Sequence, residues 1–126
     1  MSTTLSPGGS SSPQIYRDTA LTNVVVGVSS SATDLTGWNI INNDTSNVYV
    51  KFYATTSGTV VLGTTEPVKV LLVPANSTVL LEHDVHNTHY YFSTGMSIVS
   101  VTGLADSSTA APTTATYIEV YYKTSQ

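Results

Sequence analysis

The sequence predicts an all-β domain: an antiparallel two-sheet β-sandwich, of which the jelly roll is one form, preceded by a flexible N-terminal arm. Ser and Thr supply 38 of the 126 residues, while only 4 residues are Lys or Arg and 8 are Asp or Glu. This balance disfavours long solvated helices, which take their outer faces from charged residues. From Leu21 onward, short apolar and β-branched stretches are interrupted every 8–12 residues by polar, Gly or Pro residues, which is typical of a sandwich.

Eight strands are predicted from these interruptions, at 21–29, 36–43, 47–55, 67–74, 77–82, 89–94, 96–103 and 115–123. Residues 48–53 alternate, so that Val48, Val50 and Phe52 share one face of a strand. The opposite face carries Lys51, which we take as the mark of the wetter side. A strand of this kind has one face in the core and the other toward water.

The last strand alternates in the same way and places Glu119 on the outward face, opposite Ile118 and Val120. Trp38 opens an apolar strand, and we interpret it as a core residue rather than a ligand platform or an interface residue. Pro67 and Pro74 belong at strand ends, because each removes a ladder hydrogen bond. Residues 42–47 are rich in Asn, Asp and Ser and predict a hairpin turn.

The chain divides into an arm at residues 1–20 and a sandwich domain at residues 21–126. Ser, Thr, Gly and Pro dominate the first 14 residues, a composition that buries too little apolar surface to offset its ordering entropy. The first residues of the arm that can bind a partner are Ile15, Tyr16 and Arg17. The alternative is a linker that simply enters the first strand.

Several functional classes are disfavoured by composition. Four basic residues against eight acidic ones cannot neutralise a run of phosphates, so we expect no nucleic-acid partner. The absence of cysteine excludes disulfides, a thiolate nucleophile and a Cys-based zinc site. We find neither a signal-peptide pattern nor an apolar run long enough to cross a bilayer, and we expect a protein made in the cytoplasm with no membrane partner.

The densest group of metal-ligating residues is the segment that holds His83, His86 and His89. A spacing of three puts successive histidines on alternating faces of a strand, so they do not converge on one metal there. We interpret the segment as a solvated turn and expect no metal. A metal bound within one chain and a site assembled from several chains around a symmetry axis are the alternatives.

Nothing in the sequence indicates an enzyme or a cofactor. We find no nucleophile elbow, no Walker or dinucleotide-binding glycine loop, and no reason for Glu66, Glu82 and Glu119 to meet across a cleft. We therefore expect no catalytic residues. Tyrosine is abundant, with 8 residues, and tyrosine-rich sandwich surfaces suit either sugar stacking or protein interfaces.

Six short stretches resemble small virion proteins of tailed bacteriophages, a group that includes capsid decoration (cement) proteins, head fibres and related appendage modules. In order, the stretches are Trp38-Asn-Ile-Ile-Asn-Asn, Val48-Tyr-Val-Lys-Phe-Tyr, Pro67-Val, Val73-Pro-Ala-Asn-Ser, Phe92-Ser-Thr-Gly-Met and Thr102-Gly-Leu-Ala-Asp. Met96 stands where the pattern has Leu. The resemblance covers about residues 37–122 and implies a β-sandwich with a structural role in the virion and no catalysis.

From the resemblance we predict a decoration protein that binds the major capsid protein on the outer surface of the phage head and stabilises the shell. The alternative is a tail-fibre or head-fibre module that recognises host surface glycans. A sugar-binding module of a cellular protein is a third reading. We expect a homo-oligomer, a trimer rather than a dimer, because decoration proteins commonly sit where three capsid subunits meet. A net charge of −4 with 40% hydrophobic residues supports symmetric association through Tyr and aliphatic side chains.

Overall fold

The computed structural model describes residues 2–5, 14–81 and 90–124. All regular structure in these ranges is β-strand apart from one short 3₁₀ turn, Ser57–Thr59. The strands are β1 (Ser2–Leu5), β2 (Gln14–Leu21), β3 (Val26–Ser29), β4 (Thr33–Asn42), β5 (Val48–Tyr53), β6 (Lys69–Val73), β7 (Ser77–Leu81), β8 (Tyr90–Phe92), β9 (Met96–Val101) and β10 (Thr116–Thr124). The predicted all-β sandwich is confirmed.

The strands form two antiparallel sheets that pack face to face. Sheet I has the order β1-β2-β10-β4-β7, and β8 also pairs with β4. Sheet II has the order β3-β9-β5-β6. Within sheet I, Leu81 of β7 pairs with Trp38 and Tyr90 of β8 pairs with Leu35, so β7 and β8 lie along successive stretches of β4. They act as one interrupted edge strand, and residues 82–89 between them lie outside the described ranges.

The connectivity of the sheets is that of a jelly roll. With β7 and β8 counted as one strand, the chain pairs as a long hairpin folded on itself: β2 with β10, β3 with β9, β4 with β7, and β5 with β6. Two further pairings, β4 with β10 and β5 with β9, close each half into a four-stranded sheet. This arrangement of two packed sheets is the double-sheet jelly roll, and β1 adds to its margin beside β2.

The core between the sheets follows the alternation in the sequence. Val48, Val50 and Phe52 face inward from β5, and all three are fully buried. Trp38 packs against Phe52 with ring centroids 6.4 Å apart, within the range of tilted aromatic pairs, so its predicted place in the core is confirmed. From β10, three inward residues complete this layer: Ile118, Val120 and Tyr122.

The N-terminal boundary of the sandwich differs from the prediction. Residues 14–20, assigned to the flexible arm, form most of β2, which lies between β1 and β10 inside sheet I. Residues 2–5 pair with β2 as well, while residues 1 and 6–13 lie outside the described ranges. The sequence does not show the apolar alternation of β2, because the polar residue Asp18 occupies one of its buried positions. There its side chain accepts a hydrogen bond from the backbone N–H of Ala20. Of the predicted strand 21–29, only Leu21, which ends β2, and residues 26–29, which form β3, are in strands.

The turn at residues 42–47 forms through local side-chain hydrogen bonds, but it is not a hairpin. It joins β4 of sheet I to β5 of sheet II. The buried Asn42 amide donates to the carbonyl oxygens of Ser46, Val73 and Pro74. Asp44 accepts from the N–H groups of Ser46 and Thr114, and the Thr114 bond is the first cause of its lowered pKa. The turn therefore ties both sheets and the 102–115 connection together.

The assignment of Lys51 to a wet face is wrong. Lys51 is fully buried, and its ammonium donates a 2.6 Å hydrogen bond to the carbonyl of Ala105. The cause is tertiary: the chain's own connections cover the outer face of sheet II. There Tyr53, Val99 and Val101 form a second buried cluster, against which Val25, Tyr49, Val60 and Leu62 pack.

Candidate interaction face

The two outer faces of the sandwich differ in what covers them. Connections that contain Val25, Val60 and Leu62 pack over sheet II. The outer face of sheet I carries no such second buried cluster among the described residues, and its central strand presents Tyr117, Glu119 and Tyr121, all part-exposed. We call the outer face of sheet I the open face.

A hydrogen-bonded group, the Glu119 cluster, occupies the centre of the open face and comprises Arg17, Asn39, Tyr117, Glu119 and Tyr121. The residues at i and i+2 of β10 share a face of the strand, which brings both tyrosines beside Glu119. Tyr117 donates its hydroxyl to Oε2 of Glu119, and Tyr121 donates to Oε1 at 2.9 Å. Asn39 of β4 lies directly opposite Glu119 in the strand register and helps to lower the pKa of the carboxylate.

Arg17 joins the cluster from β2. Strand register places Arg17 directly opposite Glu119, and Glu119 in turn opposite Asn39. The Arg17 Nε donates to the Tyr117 hydroxyl at 3.1 Å, and the guanidinium carbon lies 5.4 Å from the centre of that ring, a cation–π distance. Three strands thus supply the cluster, with one residue each from β2 and β4 and three from β10.

The electrostatics of the cluster keep it charged near neutral pH. The pKa of Glu119 is lowered, first by the hydrogen bond from Tyr117 and then by those from Tyr121 and Asn39, with the Arg17 charge adding to them. The pKa of Arg17 is raised by its hydrogen bond to Tyr117. Both Glu119 oxygens accept from groups of the chain itself, so the cluster suits recognition of a surface better than proton transfer.

The residues predicted to grip a partner divide between the two faces of β2. Arg17 is exposed on the open face, and Ile15, part-exposed, alternates with Tyr16 onto that face opposite Tyr121. Tyr16 is 5% exposed and belongs to the core, so it is not available to a partner. The outward position of Glu119 was predicted correctly, but its partner Arg17, 102 residues away in the sequence, carries no local signal.

The β7–β8 edge of sheet I forms a second exposed feature. Leu80 is 55% exposed and Tyr91 61% exposed, and Leu81 and Tyr90 are also exposed. Tyr90 packs beside Trp38, and the Lys69 ammonium lies 4.2 Å from the centre of the Tyr90 ring and 5.2 Å from that of Trp38. These contacts close the gap between the two sheets at this edge.

Two buried polar atoms lack a hydrogen-bond partner within the described ranges: Nε1 of Trp38 and the hydroxyl of Tyr53. Tyr53 lies under the connections of sheet II, and burial raises its pKa. Each such atom lowers stability by about 1–3 kcal/mol relative to a satisfied one. Neither atom belongs to the open face.

The segment with His83, His86 and His89 lies outside the described residues, as does Glu82. Across ranges 2–5, 14–81 and 90–124, no group of three or more His, Cys, Asp or Glu side chains is placed to hold a metal ion. The same ranges contain no helix long and apolar enough to span a membrane.

Comparison of the chain with protein-family models, with curated proteins and with solved structures gave no match.

Proposed function

We propose that this protein is a non-enzymatic structural protein of a phage virion, a decoration protein that binds the major capsid protein on the outer surface of the head and stabilises the shell. The observation that carries the proposal is the asymmetry of the sandwich. One outer face is covered by the chain's own connections, while the other presents a hydrogen-bonded group of Tyr, Arg and Glu.

The open face has the composition of a protein contact. Tyr and Arg are among the residues that most often dominate binding energy at interfaces. Tyr117, Tyr121 and Arg17 are held by their hydrogen bonds to Glu119 and to one another before any partner arrives. Ordering them beforehand lowers the entropic cost of binding.

The fold alters how the N-terminal residues take part in the proposed contact with the capsid. Arg17 and Ile15 remain in the proposed contact with the capsid, but as part of β2 and not of a free arm. Tyr16 is removed from that contact because it is buried. Attachment through a rigid sheet face suits a protein that adds contact area between shell subunits and performs no chemistry.

Binding to isolated heads tests this proposal. Heads assembled without the protein are incubated with the wild type, with Arg17→Ala and with Tyr121→Ala, and the bound protein is counted on gels of sedimented particles. We expect hundreds of wild-type copies per head. Each variant should lose about 1–3 kcal/mol of binding free energy for the head, which is the range for interface residues of this type.

The matched controls are Val61→Ala and Glu66→Ala, two exposed positions on the connections of sheet II. Both should bind as the wild type does. Equal binding by all variants, or none by the wild type, contradicts attachment through the open face.

A glycan-binding fibre module is the second candidate, favoured by the two tyrosine rings that flank a carboxylate on an exposed sheet. Tyr rings stack on sugar faces, and Glu119 with Asn39 can bond hydroxyl groups. A glycan array separates the two: selective binding that Tyr121→Ala abolishes, together with no binding to heads, favours the fibre module.

A further inference from the structure

Sheet edges expose unpaired N–H and C=O groups, and proteins protect them with short strands, bulges, prolines or charges. Sheet II follows this rule at both edges. On β6, Lys69 faces inward and Pro67 and Pro74 flank the strand, while β3 has only four residues and a register shift between Gly27 and Ser29. At the β2 side of sheet I the edge strand β1 is four residues long.

The described residues of the β7 strand in sheet I carry no charge, no proline and no bulge. Residues 77–81 read Ser-Thr-Val-Leu-Leu, with no charge, no proline and an unbroken five-residue register against β4. Leu80 projects on the open face and is 55% exposed, and Leu81 at the end of the strand is 38% exposed. An uncharged edge strand with exposed leucines is a template for pairing with another strand.

We propose that β7 pairs antiparallel with β7 of a second copy of this chain, around a two-fold axis at Val79. This register overlaps all five residues of each strand and sets Leu80 opposite the partner's Thr78. It joins the two copies of sheet I into one continuous sheet. The inference concerns association between copies and does not depend on attachment to a capsid.

A second copy can occupy this edge without a charge penalty. When identical strands pair, each charge meets its own kind or a near neighbour, which destabilises the pair. β7 contains no charged residue, so self-pairing has no such cost. A two-fold contact is also closed, because each β7 strand pairs with the other and no further copy can add at that edge.

The pairing has a consequence for the open face. Glu119 lies on β10, two strands from β7, so five strand spacings separate the two Glu119 clusters of the pair. At about 4.8 Å per spacing, the clusters lie about 24 Å apart on one continuous surface. A two-fold dimer thereby replaces the trimer that the resemblance favours.

Sedimentation equilibrium of the full chain at 5–200 µM tests the proposal. The wild type should have twice the monomer mass of 13.3 kDa. Leu80→Lys and Thr78→Lys should each weaken dimerisation by about tenfold, because each places a charge on the contact strand and sets the two new lysines at neighbouring diagonal positions across the pair. Leu72→Lys is the matched control, as an exposed Leu on the edge strand of sheet II, and should dimerise as the wild type does.

Cross-linking checks the register, since the chain has no cysteine of its own. A mixture of Thr78→Cys and Leu80→Cys proteins should form a mixed disulfide dimer under mild oxidation, at several times the yield of the Leu72→Cys protein. A monomeric wild type, a dimer or trimer insensitive to both Lys variants, or equal yields from all thiols would overturn the proposal. Circular dichroism confirms that each variant is folded.

Discussion

The hydroxyl of Tyr121 donates a 2.9 Å hydrogen bond to Oε1 of Glu119, two residues earlier on the same strand. The hydroxyl of Tyr117 donates to the other oxygen from the opposite side, so the carboxylate is held between two rings of its own strand. This geometry needs only the two-residue repeat of a β-strand. What it adds to the fold is an ionised, oriented group at the centre of an exposed sheet.

Glu119→Gln should reduce the acid sensitivity of the fold. The pKa of Glu119 is lowered in the folded state, so its favourable contribution is present above the ordinary Glu pKa of about 4.3 and is lost as pH falls through the lower folded value. Urea unfolding between pH 2.5 and 7 should show a smaller loss of stability for the variant. At pH 7 the variant should be less stable by about 1 kcal/mol, which is below the range of about 1.5–3 kcal/mol for hydrogen bonds to charged groups because the cluster is part-exposed.

Glu66→Gln makes the same charge change at an exposed position. It should leave both the stability at pH 7 and the acid profile unchanged. Identical profiles for Glu119→Gln and the wild type would mean that the cluster does not hold Glu119 in the ionised form.

Two truncations should separate strand from arm. Removal of residues 1–13 takes away β1 but leaves the eight paired strands of the jelly roll, so cooperative unfolding should persist with a melting temperature lower by a few degrees. Removal of residues 1–20 also takes away β2 and the buried Tyr16, and should abolish cooperative unfolding. Thermal scans by circular dichroism measure both. A folded 21–126 fragment would restore the boundary that the sequence predicts.

Much of the fold can be predicted from the sequence because apolar residues alternate with a period of two along the strands. In β5 and β10, Val50 and Val120 lie at alternating positions, and both are buried between the sheets. Alternation does not reveal which side of a sheet another part of the chain covers. For that reason Lys51 was misassigned, since its cover comes from a connection more than 50 residues away.

Only part of the candidate site can be predicted from the sequence. The spacing of Tyr117, Glu119 and Tyr121 fixes them on one face of a strand, but Arg17 reaches them only through the pairing of β2 with β10. That pairing was missed because Asp18 puts a polar side chain at a buried position and breaks the apolar pattern. Contacts across about 100 residues depend on sheet order, which a single sequence does not show.

Lys51→Met should be neutral or stabilising at pH 7. Burial lowers the pKa of Lys51, and replacing a buried charge by an apolar side chain of similar volume often has this effect, although the Ala105 carbonyl loses its donor. Because the lowered pKa means that the unfolded chain binds more protons, wild-type stability should rise from pH 7 toward pH 9.5. The variant should lack that rise in urea unfolding.

The expected rise is limited to pH 9.5 because of Tyr53. Burial raises the pKa of Tyr53, so above about pH 10 the folded chain binds more protons than the unfolded chain and stability falls. Lys123→Met, a part-exposed position on β10, is the control and should keep the wild-type profile. Strong destabilisation by Lys51→Met across the whole range would show that the hydrogen bond to Ala105 outweighs the desolvation of the ammonium.

The most direct test of the central claim is a cryo-electron microscopy map of heads decorated with the purified protein. We predict hundreds of copies on the outer shell, each with the open face of sheet I toward the capsid and with Arg17 and Tyr121 in the contact. Absence of the protein from the shell, or copies bound through the connections of sheet II with the Glu119 cluster turned to solvent, would contradict the account.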